Sequence, residues 1–338
     1  MSNPGEAVEV ILAGDVGGTH ARLALIEARG EDLTLLAEKI YSSHDYSNLE
    51  SIVTEFLDLN TAKPDLAGVG VAGPIRDGKC VATNLPWIVD ASTLAAACGL
   101  KRVELLNDLE ANAYGISTLA VSDFAVLQKG FPNARGNAAV ISAGTGLGEA
   151  GMYFDGAALQ PFAGEGGHAS FAPEGEVQGE LFGYLTKRFG HVSCERVLSG
   201  PGLVNIYEFL RDTGRGSESH AVVEKMRSGD PAAAISQAAL ADESQLCVEA
   251  LEIFVEIYGA EAGNLALKLL ARGGIYLGGG IAPKILSELQ RPLFLDAFLN
   301  KGRMKPLLEA VPVLVILNEN TALRGAARGA LLRNPLKA

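Results

Sequence analysis

The sequence predicts an α/β protein built as two lobes of related plan, and three observations carry that expectation. Apolar, β-rich runs alternate with stretches of helical periodicity. A unit of strand, Gly/Thr-rich turn and strand occurs near the start and again near residue 140. The chain has 338 residues and 48% apolar content, enough for two lobes or domains rather than one.

Taken in order, VEVILA, RLALI and LTLLAEKIY read as early hairpin strands, and LAGVGVAG and KRVELL as later ones. SNLESIVTEFLDL and ASTLAAACG lie between them with helical spacing. The plan restarts at NAAVISAGTGLGEAGMY, followed by the helical stretches EVQGELFGYLTKRFG and PAAAISQAALADESQLCVEALEIFVEIYGAEAGNLALKLLA. Between these, RDTGRGSESH is polar and Gly-rich and predicts a surface loop. GGIYLGG and VPVLVIL form a last strand pair around helix-like KILSELQ, and NENTALRGAARGALLR closes the pattern as a helix with NEN at its start.

Bulk properties exclude several partners. A formal charge of -12 disfavours nonspecific attraction to nucleic acid or an anionic membrane, so a phosphate ligand must be met by local geometry. The cysteines at 80, 98, 194 and 247 show no CxxC spacing and the histidines no HExxH, which points to neither a zinc site nor a disulfide framework and fits a reducing cytoplasm. No basic segment precedes an apolar run at the N-terminus, and no apolar stretch is long enough to span a bilayer.

Three Gly-rich turns suit phosphate or nucleotide. In GDVGGTH, residues 14–20, the amides of Gly17, Gly18 and Thr19 are unobstructed by side chains. Asp15 beside them would repel a phosphate unless a cation stood between, which implies Mg²⁺ carried in with a nucleotide and held through water. The competing reading is a hairpin with Asp15 satisfying turn amides. SAGTGLGE repeats the device at Gly144, Thr145 and Gly146, and GGIYLGGG offers Gly278, Gly279 and Gly280, where a flat purine could lie against bare backbone. GPIRDGKC nearly fits a P-loop, but Cys80 replaces the magnesium-binding hydroxyl and strand or loop follows, so an Asp-Gly hairpin is expected. GTGLGEAG has the wrong spacing for a dinucleotide fingerprint.

Asn107 and Asp108 stand where the strand KRVELL gives way to a helix, the place for a catalytic base if the sheet is mostly parallel; an ordinary Asn-Asp helix cap competes. Glu165 and His168 in GEGGH are suited to bind several hydroxyls of one sugar. Glu195 alone reads as a surface or helix-start acid, and His20, His44 and His191 as structural or exposed.

GDVGGTHARLAL, TNLPW, ELLNDLEANAYG, ISAGTGLGEAGM, GEGGH, RFGHVSCERVLSGPGLVNIY and GGIYLGGGIAPK resemble, in order and over nearly the whole chain, the bacterial glucokinase family. The resemblance implies a two-lobed actin-like ATPase (ribonuclease H-like) fold with an inter-lobe active-site cleft, its small domain formed by 1–118 plus 319–338 and its large domain by 119–318. It assigns Asp15 and the 17–19 turn to the first phosphate motif, the 144–146 turn to the second, and 277–280 to the adenosine site. Asn107, Asp108, Glu165, His168 and Glu195 match glucose-binding positions, with Asp108 as catalytic base; Asn84 lies in the matching sugar-side loop. The related ROK kinases and repressors carry a Cys-rich zinc motif that this sequence lacks, and no DNA-binding segment is added, which disfavours a transcriptional role.

The expected activity is ATP-dependent phosphorylation of the glucose 6-hydroxyl, with ATP and glucose as partners, Mg²⁺ as the metal, lobe closure on sugar binding, and a homodimer left open. A kinase of another hexose and a catalytically silent sugar sensor are the alternatives.

Overall fold

The computed structural model describes residues 8–82 and 85–333. The chain divides into two compact units, the described residues of Met1–Asp123 with Asn318–Ala338, and Phe124–Leu317.

The first unit contains Val8–Val16 (β1), His20–Arg29 (β2), Asp32–Ser42 (β3), Leu66–Val71 (β4), the short strands Ile75–Arg76 (β5), Lys79–Val81 (β6) and Ile88–Asp90 (β7), and Arg102–Asn107 (β8). Its main sheet runs β3-β2-β1-β4-β8, with β5, β6 and β7 in a small sheet of their own. Short turns make β1, β2 and β3 antiparallel. The helices Leu49–Asp58 and Ala91–Cys98 are the crossovers that let β4 and β8 run parallel to β1. The expected Asp-Gly hairpin is present: Asp77 and Gly78 both have positive φ, 51° and 71°, between β5 and β6.

Alternation along β1 sends Leu12 and Val16 to one face, with Ile52, Phe56 and Leu94, and Ile11 and Ala13 to the other, with Leu106, Ala111, Ala326 and Ala330. The small residues on the second face, Ala13, Ala24 and Gly68 among them, let two helices, Asp108–Ile116 and Thr321–Arg333, lie close to the strands. A Cβ on Gly68 would overlap the Ala326 carbonyl oxygen. Where the two helices cross, a Cβ on Gly115 would overlap the Thr321 carbonyl oxygen and one on Gly325 the Ala111 carbonyl oxygen.

The second unit contains Phe124–Gln128 (β9), Ala138–Ala143 (β10), Leu147–Phe154 (β11), Leu159–Gly164 (β12), Gly274–Gly278 (β13) and Val313–Ile316 (β14). Its sheet order, β12-β11-β10-β13-β14-β9, repeats the first sheet strand for strand and adds β9 at the edge. The hairpins β10-β11-β12 are antiparallel and β10-β13-β14 parallel, as in the first unit. The stretch 231–271, expected as helical, forms two helices, Pro231–Leu240 and Gln245–Leu269, the break falling at the exposed Asp242 with φ 53°. Helix Gln245–Leu269 is the spine of the core, with Leu251, Phe254 and Tyr258 buried along it. Of RDTGRGSESH, 213–219 form the loop between helices Gly200–Asp212 and His220–Ser228, while Arg211, Asp212 and His220 belong to the helix ends.

Candidate active site

In the first unit the functional candidates gather at one end of the sheet. The register aligns Asp15 with Gly70 and Val16 with Val71, while Val71 pairs with Asn107, so the turn after β1 and the start of helix Asp108–Ile116 lie two strands apart, about 10 Å. Gly70 keeps that end open: a Cβ there would stand 3.0 Å from Ala111 Cβ and 3.6 Å from Asp108 Cα. The turn itself is tied by Gly17 N donating to His20 O at 2.9 Å and Ser43 Oγ to Gly17 O at 3.1 Å. Gly17 lies outside the positive-φ residues and has room for a Cβ, so local folding alone does not demand glycine there.

Asp15 is partly buried, and burial pushes its carboxyl above the ordinary carboxylate value, an effect that Arg22 opposite it on β2 reduces. The Arg22 guanidinium is itself engaged, by Glu38, Glu319 O and Asn320 Oδ1. No side-chain hydrogen bond or ion pair neutralises Asp15 among the described residues, and no group of three or more His, Cys, Asp or Glu there could hold a metal. A lone, partly desolvated carboxylate of this kind fits a magnesium ion bound chiefly by water and substrate oxygens.

Of the adjacent pair, Asn107 is the helix cap. Its Oδ1 accepts from Leu109 N at 3.0 Å and Glu110 N at 3.4 Å, and its Nδ2 donates to Gly73 O at 3.3 Å. One amide hydrogen of Asn107 is left for a ligand. Asp108 opens the helix; its Oδ1 accepts from Leu109 N at 2.9 Å, and its charge helps raise the buried Cys80 thiol. Asn84 lies outside the described residues.

The second unit brings its candidates together more tightly. The turn Gly144–Gly146 closes on itself through Gly144 N to Gly146 O, 2.8 Å, and Gly200 N donates to Gly144 O at 2.8 Å. Neither positive φ nor packing requires glycine at 144 or 280, where an added Cβ meets nothing within 4 Å; free backbone of this kind suits close approach by a ligand. Gly279 differs, with φ 80° and the Ala143 carbonyl oxygen pressed against it. Ile281 N bonds Ala143 O at 3.3 Å, so the 278–280 cluster adjoins the second turn.

Glu195 is no free surface acid. Its Oε2 accepts from Leu147 N at 3.0 Å, directly after the turn, and a Cβ on Gly146 would come within 2.5 Å of that oxygen. Glu165 and His168 project from the loop after β12, both largely exposed, with Nε2 and Oε2 3.9 Å apart. That loop rests on β11: a Cβ on Gly167 would overlap Leu147 O. His191, read as structural or exposed, is exposed and touches the same loop through Nε2 and His168 O, 3.3 Å apart.

Sequence reasoning passed over Glu149, inside GTGLGEAG. It is 4% exposed, lies beneath Gly166, and has a carboxyl pushed up to about 7 by burial and then by the charge of Glu261. Its signal was an acid in an otherwise small and apolar strand.

Comparison with known proteins gives this geometry a lineage. The Glucokinase family model matches residues 12–332. The chain belongs to the glucokinase family. It is 44% identical to the glucokinase of Nostoc punctiforme over 333 residues, covering 94% of this chain and 98% of that one. Among solved structures it is similar to the glucokinase from an Antarctic psychrotroph, at 33% identity and TM-score 0.82, covering 95% and 98% of the two chains. It shares the fold of the ROK family glucokinase from Streptomyces griseus, whose structure is a complex with glucose and AMPPNP, at 22% identity and TM-score 0.62, covering 96% and 99%. The repeated sheet plan is the actin-like ATPase, ribonuclease H-like α/β fold of glucokinases. No helix of the described residues is long and apolar enough to cross a membrane.

Proposed function

We propose that the protein transfers the γ-phosphoryl group of ATP to the 6-hydroxyl of D-glucose, in the cytoplasm and at the entry to glycolysis. What carries this reading is the bond between Glu195 and Leu147 N, which ties an acid of the sugar set to the strand opened by the 144–146 phosphate turn. Glu195 retains its second oxygen for a hydroxyl, and Glu165 and His168 present an acceptor and an imidazole to others. Asn107 keeps one amide hydrogen, and Asn84 completes the sugar-side assignment.

Asp108 accepts a hydrogen bond from the 6-hydroxyl and aims its oxygen at the γ-phosphorus. A carboxylate of reference pKa about 3.9 is too weak to deprotonate an alcohol outright, so the proton moves late, as the O–P bond forms. The amides of Gly18, Thr19, Thr145 and Gly146 take up charge on the transferring group, those of Gly17 and Gly144 closing the two turns, and Gly278, Gly279 and Gly280 receive the adenosine. Asp15 would hold Mg²⁺ through water, the ion supplying neutralisation of the phosphates when bound.

The direct test is a coupled assay for ADP release with a panel of sugars and phosphoryl donors. Release that requires glucose and ATP supports the reading; release with another hexose only, or none with any sugar that binds, overturns it.

Asp15→Ala is expected to weaken productive MgATP use and leave glucose affinity nearly intact. Calorimetry of glucose binding checks the division, and an equal loss of sugar affinity would contradict it. Glu165→Gln keeps size but removes an ionised acceptor. Charged hydrogen bonds contribute roughly 1.5–3 kcal/mol, so the glucose KM is expected to rise about ten- to a hundredfold. An unchanged KM removes Glu165 from the sugar site.

A further inference from the structure

Behind the loop that carries Glu165 and His168 lies a buried charge cluster which the reaction does not use. Glu149, on β11, pairs across the sheet with Gly164 at the foot of the loop. Its Oε1 is buried without a hydrogen-bond partner, and its Oε2 lies against Gly166, where a Cβ would overlap it. The groups facing it come from every packed element. Helix Gln245–Leu269 supplies Tyr258, Glu261 and Lys268, and the segment after Ser193 supplies Cys194. Glu261 is already satisfied, by Lys268 Nζ at 3.0 Å and Asn264 Nδ2 at 2.9 Å. Tyr258 donates to Ile141 O at 3.3 Å, and Cys194 to Ser170 O at 3.8 Å.

One lysine therefore faces two buried carboxyls, and one carboxyl oxygen has no donor. An ionised Glu149 must find a new donor or water, because an unpaired buried charge is costly. Three of its walls are core strand and helix. The fourth is the Gly-rich loop 164–168, which lies outside the core and exposes Glu165 and His168.

We propose that Glu149 is a positioning residue for glucose binding: its protonated form lets the loop 164–168 sit down on β11 with Glu165 and His168 in place, and its ionisation lifts that loop. The inference rests on the assignment of Glu165 and His168 to the sugar. It predicts an effect on glucose KM, with kcat and the ATP KM nearly constant, since Glu149 touches neither the phosphate turn nor Asp108.

The test is the pH dependence of glucose KM in the wild-type protein and in Glu149→Gln, which keeps the shape but cannot ionise. The Glu149 carboxyl titrates at about 7. If only its protonated form presents the loop, the wild-type KM rises about tenfold one pH unit above that midpoint, as the competent fraction falls. Glu149→Gln is expected to hold the low, acid-side KM throughout. A wild-type KM flat across pH 6–9, or the same rise in Glu149→Gln, overturns the proposal.

Hydrogen exchange of the 164–168 amides without sugar is a readout independent of the assigned activity. Opening should increase with pH, after correction for intrinsic exchange, in the wild type only; equal opening in both proteins also overturns the proposal. If instead Glu165→Gln leaves glucose KM unchanged at pH 6, the sugar assignment fails on its own account.

Discussion

Asp108→Asn is expected to lower kcat on glucose by about 10²–10⁴-fold, the usual contribution of a general base, while MgATP still binds. The fold should hardly notice. Asn107 caps the helix through Leu109 N and Glu110 N, and an asparagine at 108 can still accept from Leu109 N. A first-turn charge is lost, with a cost of about 0.3–1 kcal/mol. Steady-state kinetics and a thermal melt on the same preparation separate the two readings of this residue. A purely structural Asp108 would leave kcat near normal wherever the variant stays folded, and that result would overturn the mechanism at its centre.

Gly325→Ala should have the second largest effect, although it lies far in sequence from every motif. The added methyl would overlap the Ala111 carbonyl oxygen at the crossing of Thr321–Arg333 with Asp108–Ile116. Both are backbone-limited surfaces, so the helices must separate; overpacking of this kind costs typically about 1–3 kcal/mol. Because Asp108 opens the displaced helix, kcat should fall at temperatures where the variant remains folded, with a smaller change in the glucose KM. Denaturant melts and kinetics check both parts. Unaltered stability would mean that the crossing yields freely, and the close-approach argument would be lost.

Much of the fold was legible because it rests on local signals. Periodic apolar runs announced the strands, and Asp77-Gly78 forms its expected hairpin. In the turns proposed for phosphate and adenosine, Gly144 and Gly280 have no packing need for glycine and stand against structured flanks.

What escaped the sequence reading depended on contacts across long chain separations or on a boundary shifted by one residue. Asn107 and Asp108 both suit a cap, and the choice turned on β8 ending at Asn107. Glu195 became a partner of the strand after the 144–146 turn only when the chain brought it to Leu147, 48 positions away. Glu149 alternates along β11 like a solvent-facing acid, and it is buried by a loop and a helix that come later in the chain. Gly115 and Gly325 read as mildly unfavourable helix residues until their shared crossing gives them a reason.

The helix Thr321–Arg333 also sets an order on biosynthesis. It completes one face of the first sheet, yet it is translated after all of Phe124–Leu317. At about 5–20 residues per second, the strands β1, β2, β4 and β8 wait roughly 10–40 s for the segment that covers them. During that interval the second unit can reach its native state on the ribosome, while the first remains a half-built sheet. The waiting face carries Ala13, Ala24, Ala28 and Gly68 beside its larger residues, Ile11, Ile26, Leu33, Leu66 and Leu106. Its small side chains offer less apolar area to chaperones or to neighbouring nascent chains than a leucine-rich face would. The same residues that let the last helix dock closely therefore limit misassembly before it arrives.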